Sequence, residues 1–266
     1  MRKVAEQPDA RSTHDAAVDK NEQPFLEHII ELRSRILRSV LVIVVLFFPV
    51  YYFANDIYTF VAAPLLTYLP EGNMIATGVA TPFLTPFKLS IYVALFLSVP
   101  FLLHQAWSFV APGLYLDEKR FAAPLLISSV ALFYMGVSFA YFVVFPLMFK
   151  FLASVTPEGV LMMTDIGQYL DFVMTLFLAF GAAFEIPIAT LLLVWTGFAT
   201  AQSLAAKRPY VIVGCFVVGM ILTPPDVLSQ ILLAVPMWML YEVGVFFARF
   251  IPAHANEPTA EQTPGL

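Results

Sequence analysis

An amphipathic segment, residues 25–38, precedes the first long apolar run of the chain. Its apolar residues recur near helical spacing, and charged residues are distributed among them. The apolar set is Leu26, Ile29, Ile30, Leu32, Ile36 and Leu37, and the charged set is Glu27, Glu31, Arg33, Arg35 and Arg38. This pattern predicts a helix that lies on a membrane surface before the chain enters the bilayer. We call residues 25–38 the amphipathic collar.

Six apolar runs follow, and each predicts a membrane-spanning helix. Their approximate bounds are 36–54, 88–110, 121–147, 169–196, 209–224 and 227–246. The last two are at or below the length that crosses about 30 Å of hydrocarbon at about 1.5 Å per residue. We therefore predict an all-α polytopic membrane protein, with the membrane thinned beside the two short spans.

The two ends of the chain are polar. Residues 1–23 and 251–266 lack long apolar runs and predict disordered tails, so the membrane domain occupies 24–250. The stretch 56–87 is broken by proline and glycine but is rich in apolar residues, which favours a structured loop. In it we expect a short helix ending near Leu69, capped by Asn55 or Asp56. Ile57, Phe60, Val61 and Leu65 would lay this helix against the membrane.

Positive charges decide the orientation. The side of the collar, the near side, receives the tails, the collar and the connections after the second and fourth spans. It holds Arg2, Lys3, Arg11, Lys20, Arg33, Arg35, Arg38, Lys119, Arg120, Lys207, Arg208 and Arg249, whereas the far side holds Lys88 and Lys150. Positive charge is retained in the cytoplasm, so both termini are predicted to be cytoplasmic.

Composition excludes several classes of function. The chain is 60% hydrophobic and 12% charged, which requires a bilayer, and its net charge of −5 does not suit nucleic-acid binding. The single cysteine, Cys215, lies in an apolar run, so neither a disulfide nor a cysteine metal site is expected. No HExxH, GxSxG or phosphate-binding loop is present. We therefore predict no enzymatic activity, no metal and no cofactor.

Two carboxylates lie inside predicted spans. Glu185 interrupts the fourth span and Glu242 lies near the cytoplasmic end of the sixth. A charge at the helix centre costs about 2.5–3.5 kcal/mol, so such residues rarely face lipid. Glu185 is either a hydrogen-bonded packing group or a functional polar site, and Glu242 fits a packing role better. A proton-coupled small-molecule transporter using both as a relay is the alternative function, while an intramembrane hydrolase lacks a nucleophile and base.

Two further carboxylates lie at the near-side surface. Singly, each is ordinary: Glu31 has Arg35 at i+4, and the charge of Glu118 suits the start of a helix. Together they offer two carboxylates to guanidinium groups arriving from the cytoplasm. Bidentate carboxylate contact is the interaction in which arginine outperforms lysine.

Several motifs along the chain resemble those of the TatC family, the multispanning receptors of the bacterial twin-arginine translocase. The resemblance covers about residues 25–250 and leaves out only the tails. The motifs occur in the family's order: HIIELR (28–33), YFAND (52–56), APL (63–65), FVAPGLY (109–115), EKR (118–120), FAYFVVFP (139–146), FEIP (184–187), KRPY (207–210) and LTPPD (222–226). Several separate motifs in order are more specific than a single match.

The resemblance implies a glove-shaped, six-span protein of the bacterial cytoplasmic membrane. It also implies a function, the recognition of twin-arginine signal peptides on folded precursor proteins. The receptor would pass them into a complex of several copies with the single-span subunits TatB and TatA, and export would be driven by the proton-motive force.

The resemblance also assigns roles to residues. Glu31 and Glu118 would receive the arginine pair, with Arg33 and Phe109 nearby. The residues expected to dock a partner helix are Met220, Thr223 and Gln230. The others are Glu185, a polar residue inside the concave face, and Pro64 and Asp226, in caps on the far side.

Overall fold

The computed structural model describes residues 10–67, 74–110, 119–157, 163–222 and 227–250. Almost all of this part of the chain is helical, which confirms the predicted all-α class. The helices are α1 (Ala10–Tyr52), α2 (Ala54–Leu66), α3 (Thr81–Val110), α4 (Lys119–Phe139), α5 (Phe145–Val155), α6 (Ile166–Ala183), α7 (Ile186–Trp195), α8 (Ala201–Ala206), α9 (Arg208–Leu222) and α10 (Val227–Ala248), with a π-helical turn at Ala140–Val144 between α4 and α5.

Within the described residues, five helical segments are long and apolar enough to cross a membrane. They are Ile29–Tyr52, Thr81–Phe109, Ala123–Val155, Ile166–Trp195 and Gln230–Ala248. A sixth apolar helix, α9, is shorter, as the sequence predicts for the fifth run. Helix α10 is longer than its charge-free run because it continues through Glu242, whose charge is paired with Arg208.

The first two helices differ from the sequence expectation. Helix α1 begins at Ala10, whereas the predicted tail extends to residue 23. Residues 10–23 contain no glycine or proline that would end a helix, and α1 also passes through Pro24. The predicted cap of α2 is wrong. Phe53 precedes this helix without a side-chain cap, and Asn55 and Asp56 lie in its first turn, since a single residue separates α2 from α1.

Helix α2 faces the protein rather than only a membrane surface. Val61 and Leu65 are buried, with 5% and 3% of their surface exposed, whereas Phe60 is exposed and stacks on Tyr141. The hydroxyl of Tyr169 donates to the Val61 carbonyl at 2.8 Å. Helix α2 therefore closes the far end of the helical core.

The core is centred on α6, which packs against α3 and α4. Its fully buried side chains include Leu170, Val173, Met174, Leu176 and Phe180. Close approach of α4 and α6 depends on two glycines that face each other's helix: a Cβ at Gly136 would meet the carbonyl of Phe180, and one at Gly181 would meet the ring of Phe133. At both glycines the backbone of one helix therefore approaches the other helix closely, as small residues permit in membrane helix pairs.

The fourth span consists of two helices. Helix α6 ends at Ala183, α7 begins at Ile186, and the bend contains Phe184 and Glu185. Pro187 lies in the first turn of α7, where its missing N–H costs little. Helix α10 packs mainly against α7 and α9 and makes only limited contact with α6.

Candidate functional site

Arg35 joins α1 to the last turns of α3. Its Nη1 lies 3.1 Å from the side-chain Oε1 and 3.4 Å from the carbonyl of Gln105, and its Nη2 lies 3.2 Å from the carbonyl of Ser108. Carbonyls in the last turn of a helix lack intrahelical partners, and a cation there is favoured by the helix dipole. The guanidinium therefore fixes the position of the collar relative to the near-side end of α3.

The same guanidinium orients Glu31. Nε and Nη2 of Arg35 both donate to Oε1 of Glu31, at 3.0 and 2.5 Å. The Glu31 side chain nevertheless remains 40% exposed. Both Arg35 contacts fall on Oε1, so an arriving guanidinium can share this carboxylate through its other oxygen. Glu31 is thus positioned by the fold and still accessible from the near side.

Of the residues predicted to lie near Glu31, the structure describes Arg33 and Phe109 but not Glu118. Phe109 is half-buried and directly follows Ser108, whose carbonyl Arg35 holds. Arg33 is exposed on α1. Glu118 lies outside the described residues, so the structure does not relate it to Glu31. The collar and the end of α3 therefore form one surface, which we call the collar site: Glu31, Arg33, Arg35 and Phe109.

Glu185 lies at the bend of the fourth span. The hydroxyl of Ser129, on α4, donates to its Oε2 at 2.6 Å. Its other oxygen, Oε1, is buried and accepts no hydrogen bond from the described residues. A hydrogen-bonded packing group is expected to have partners for both carboxylate oxygens, but of the two oxygens of Glu185 only Oε2 accepts a hydrogen bond from the described residues. The second oxygen leaves capacity for a donor, which is compatible with a polar site.

Glu242 is held in an ion pair that links α9 to α10. Nε and Nη2 of Arg208 donate to its two oxygens at 2.7 and 2.8 Å, in bidentate geometry. The sequence predicts a packing role for Glu242 but does not reveal this partner, because the two residues are far apart in the chain. A carboxylate held in this ion pair is poorly suited to take up and release protons as part of a proton relay.

Two of the predicted partner-docking residues lie on neighbouring helices, Met220 on α9 and Gln230 on α10. Met220 is 58% exposed. The amide of Gln230 donates to the Phe216 carbonyl at 2.9 Å, and Gly219 lies against the Gln230 backbone. Thr223 lies outside the described residues. Gln230 thus joins α9 to α10, whereas Met220 remains available on the surface.

On the far side, Asp165 connects two loops, which the sequence analysis missed. A parallel bridge joins Ile75 to Asp165, and the Asp165 carboxylate accepts hydrogen bonds from Thr77 and from the backbone of Gly167 and Gln168. The hydrogen bonds from Thr77 and the α6 backbone lower the pKa of Asp165 to about 2. An aspartate directly before a helical apolar run is a capping signal that would have revealed half of this arrangement.

The two residues predicted to lie in far-side caps are Pro64 and Asp226. Pro64 is half-buried within α2, and Asp226 lies outside the described residues. Near the same end, the Tyr58 hydroxyl lies 3.3 Å from the sulfur of Met74. Burial and the charge of Asp165 raise the pKa of Tyr58 to about 12. In the described part of the chain, no group of three or more His, Cys, Asp or Glu residues is arranged to hold a metal ion.

The chain is similar to known proteins along most of its length. The family model of the Sec-independent protein translocase protein TatC matches residues 27–236. A TatC protein of Azotobacter chroococcum is 64% identical over 244 residues, 91% of this chain and 95% of that protein. The TatC protein of Escherichia coli K12 is 57% identical over 229 residues, 86% of this chain and 89% of its own length.

Solved structures give the same result for the fold. A crystal structure of the twin arginine translocase receptor TatC superposes with a TM-score of 0.76 at 38% identity, covering 84% of this chain and 98% of that one. A second crystal structure of the receptor, in the detergent DDM, gives a TM-score of 0.77 at 37% identity, with 83% and 99% coverage. Sequence and three-dimensional arrangement therefore lead to one family.

Proposed function

The chain belongs to the TatC family of Sec-independent protein translocase proteins, and from this premise we propose that it is the receptor for twin-arginine signal peptides and the core subunit of their translocase. It is a translocase component with several helices able to cross a membrane. The single observation that carries the receptor proposal is the collar site, in which Arg35 presents an accessible Glu31 beside the end of α3.

The proposed topology has six spans and both termini in the cytoplasm of a bacterium, with the protein in the inner membrane. In this topology the five long helical segments would supply five crossings and the shorter α9 the sixth. Twelve of the fourteen lysines and arginines fall on the near side in this topology, which supports a cytoplasmic near side. The spans would form the glove shape, with Glu185 inside its concave face.

Recognition begins with two guanidinium groups arriving from the cytoplasm. One contacts Glu31 and the other Glu118, each as a charge-assisted, bidentate pair. Lysine presents a point charge and cannot make the planar double contact, which explains a requirement for arginine. Arg33 and Phe109 complete the surface, Phe109 by contact with the apolar residues that follow the arginine pair.

The apolar part of the signal peptide would then slide along the spans toward Glu185, whose Oε1 has hydrogen-bonding capacity left. TatB and TatA would dock through their single helices on α9 and α10, where Met220 is exposed. Several copies would assemble, and the proton-motive force would drive passage of the folded cargo. The short α9 is compatible with a membrane thinned at that place.

The test measures binding of a synthetic signal peptide to the full chain purified in detergent. An Arg-Arg peptide is expected to bind at least about tenfold more tightly than its Lys-Lys counterpart, because bidentate charged contacts are lost with lysine. Glu31→Gln and Glu118→Gln are each expected to reduce this preference, and together to abolish it.

Asp56→Asn is the matched control, since it removes one exposed carboxylate from the far side of the same chain. It is expected to bind both peptides as the parent protein does. Equal binding of the two peptides by the parent, or an Arg-Arg preference that survives both glutamine substitutions, would rule out the collar site as the receptor surface.

The alternative function, a proton-coupled transporter, is not favoured. Family membership assigns the chain to protein translocation, and one member of its relay, Glu242, is ion-paired with Arg208.

A further inference from the structure

A cavity of about 520 Å³ opens between the start of α9 and the end of α10. It is lined by Arg208, Glu242, Val243, Phe246, Phe247 and Arg249. Its volume falls in the range of about 300–1,000 Å³ that is usual for small-molecule sites. None of these residues belongs to the collar site, and the cavity has no role in signal-peptide recognition as proposed above.

The charges of the lining favour an anion. Two arginines and one glutamate give a formal net charge of +1, and the glutamate is already engaged by Arg208 in a bidentate pair. Arg249 is exposed, lies one residue beyond α10, and forms no side-chain ion pair with any described residue. It is thus an available guanidinium at the mouth of the cavity, and guanidinium binds phosphate oxygens well.

The remaining wall is apolar and exposed. Val243, Phe246 and Phe247 expose 44%, 54% and 52% of their surface. Phe246 also contacts Phe250 edge to face, at a ring-centroid distance of 5.4 Å, which extends the aromatic surface past the end of the helix. Aromatic and apolar side chains beside a charge, at the end of a membrane helix, match a ligand that is charged at one end and apolar at the other.

We propose that this cavity binds an anionic glycerophospholipid, with its phosphate on Arg249 and the exposed edge of Arg208 and an acyl chain along Val243, Phe246 and Phe247. Basic pockets between membrane helices are suited to anionic lipid headgroups. A soluble anion would gain nothing from the three apolar side chains, which is why the occupant is a lipid. The Glu242 pair holds the Arg208 side chain in place and limits the site to a weakly positive charge.

Lipid binding is measured by native mass spectrometry of the full chain in detergent, without signal peptide. The probes are palmitoyl-oleoyl phosphatidylglycerol and the phosphatidylcholine with the same acyl chains. Phosphatidylglycerol is expected to bind more tightly, and Arg249→Gln to weaken that binding about tenfold, as expected for loss of one charged hydrogen-bonding partner. Arg38→Gln, which removes an exposed near-side arginine from α1, is the charge-matched control and is expected to have no effect.

Two phenylalanine variants test the proposed contact between the acyl chain and the apolar wall. Phe247→Ala is expected to weaken phosphatidylglycerol binding severalfold, whereas Phe198→Ala, at a phenylalanine that is 85% exposed in the loop before α8, leaves it unchanged. Three results would overturn the proposal: equal binding of the two lipids, equal losses in Arg249→Gln and Arg38→Gln, or complete displacement of the lipid by inorganic phosphate. The last would indicate a site for a free anion. Because no peptide is present, none of these results bears on the receptor function.

Discussion

Thr77 donates both its backbone N–H and its hydroxyl to the same carboxylate oxygen of Asp165, at 2.8 and 2.6 Å. The other oxygen of Asp165 accepts from the backbone of Gly167 and Gln168 at the start of α6. One side chain therefore caps a membrane helix and holds the loop that precedes α3. This far-side clamp joins two connections that are distant in the chain, and it depends on an ionised carboxylate.

The clamp predicts a specific acid sensitivity. The pKa of Asp165 falls from its ordinary 3.8 to about 2 in the folded protein, so the charged form stabilises the fold. This contribution is fully present above pH 3.8 and is lost as the pH falls toward 2. We expect Asp165→Asn to lower the melting temperature at pH 6 and to flatten its decline between pH 4 and about 2, as measured by intrinsic fluorescence in detergent. Asp56→Asn, which removes an exposed far-side carboxylate, should change neither the melting temperature at pH 6 nor its decline at low pH. If the melting temperatures of the parent and of Asp165→Asn decline in parallel between pH 4 and about 2, the charge of Asp165 does not stabilise the fold.

Arg35 is expected to act as a positioning residue for Glu31. Lysine at this position would keep the charge but could not reach Glu31, Gln105 and Ser108 together with one planar group. We predict that Arg35→Lys weakens binding of the Arg-Arg peptide severalfold and narrows the gap between Arg-Arg and Lys-Lys peptides. A residue with a purely structural role would lower the melting temperature without changing that ratio.

Arg38→Lys is the control for this experiment, since Arg38 is exposed one helical turn farther along α1. It should leave the peptide preference intact. An Arg-Arg preference that is identical in Arg35→Lys and in the parent would show that Glu31 does not need this support.

Glycine packing between α4 and α6 predicts that a glycine-to-alanine substitution there lowers the free energy of unfolding, whereas the same substitution on α9 does not. A Cβ at Gly136 would overlap the backbone carbonyl of Phe180, whereas no atom lies within 4 Å of a Cβ built at Gly214 on α9. Gly136→Ala is therefore expected to cost about 1–3 kcal/mol, the usual penalty for overpacking. Gly214→Ala is expected to be neutral or to stabilise by up to about 1 kcal/mol. Thermal unfolding of the two variants in the same detergent measures the difference, and equal melting temperatures would show that α4 can move away from α6.

Local pattern was sufficient to predict the five long apolar helices and the shorter α9, but not the contacts between them. The apolar runs predict the long helices because a bilayer leaves few alternatives to a helix. The sequence showed Glu185 as an interruption of the fourth run, whereas the bend there is seen only in the structure. In contrast, the pairs Arg208–Glu242 and Thr77–Asp165 each join segments that are far apart in the chain. Side-chain pairing over such separations leaves no periodic signal, so the sequence identifies the charged residues without their partners.

The capping error at α2 has a related cause. Asn55 and Asp56 are good N-cap residue types, and the sequence alone offers no reason to exclude them. Their position is decided by α1, which ends at Tyr52 and leaves Phe53 as the only residue between the two helices. The length of the preceding helix thus overrides the local preference. Glu31 illustrates the opposite case, since its i+4 pair with Arg35 was predictable from spacing and is present.

The hydrogen bond from Ser129 to Glu185 predicts an energetic coupling across α4 and the bend of the fourth span. Ser129 is 1% exposed, and its hydroxyl is the donor to Oε2 of Glu185, whose Oε1 is already without a partner among the described residues. Removing the hydroxyl leaves the half-buried carboxyl with no hydrogen-bond donor among the residues that the structure describes, so Ser129→Ala is expected to cost about 1–3 kcal/mol. Glu185→Leu removes the carboxyl itself, and in that background Ser129→Ala should cost clearly less.

The double-mutant cycle isolates this pair from general packing effects. A coupling free energy of about 1 kcal/mol or more between Ser129→Ala and Glu185→Leu is expected, since contacting residues in one hydrogen bond are not additive. Ser154→Ala supplies the reference, because Ser154 is exposed on α5 and its hydroxyl donates to the carbonyl of Phe151 in its own helix. Its effect should add to that of Glu185→Leu. Additive effects for Ser129 as well would mean that the serine is present for helix packing and that its hydrogen bond does not stabilise Glu185.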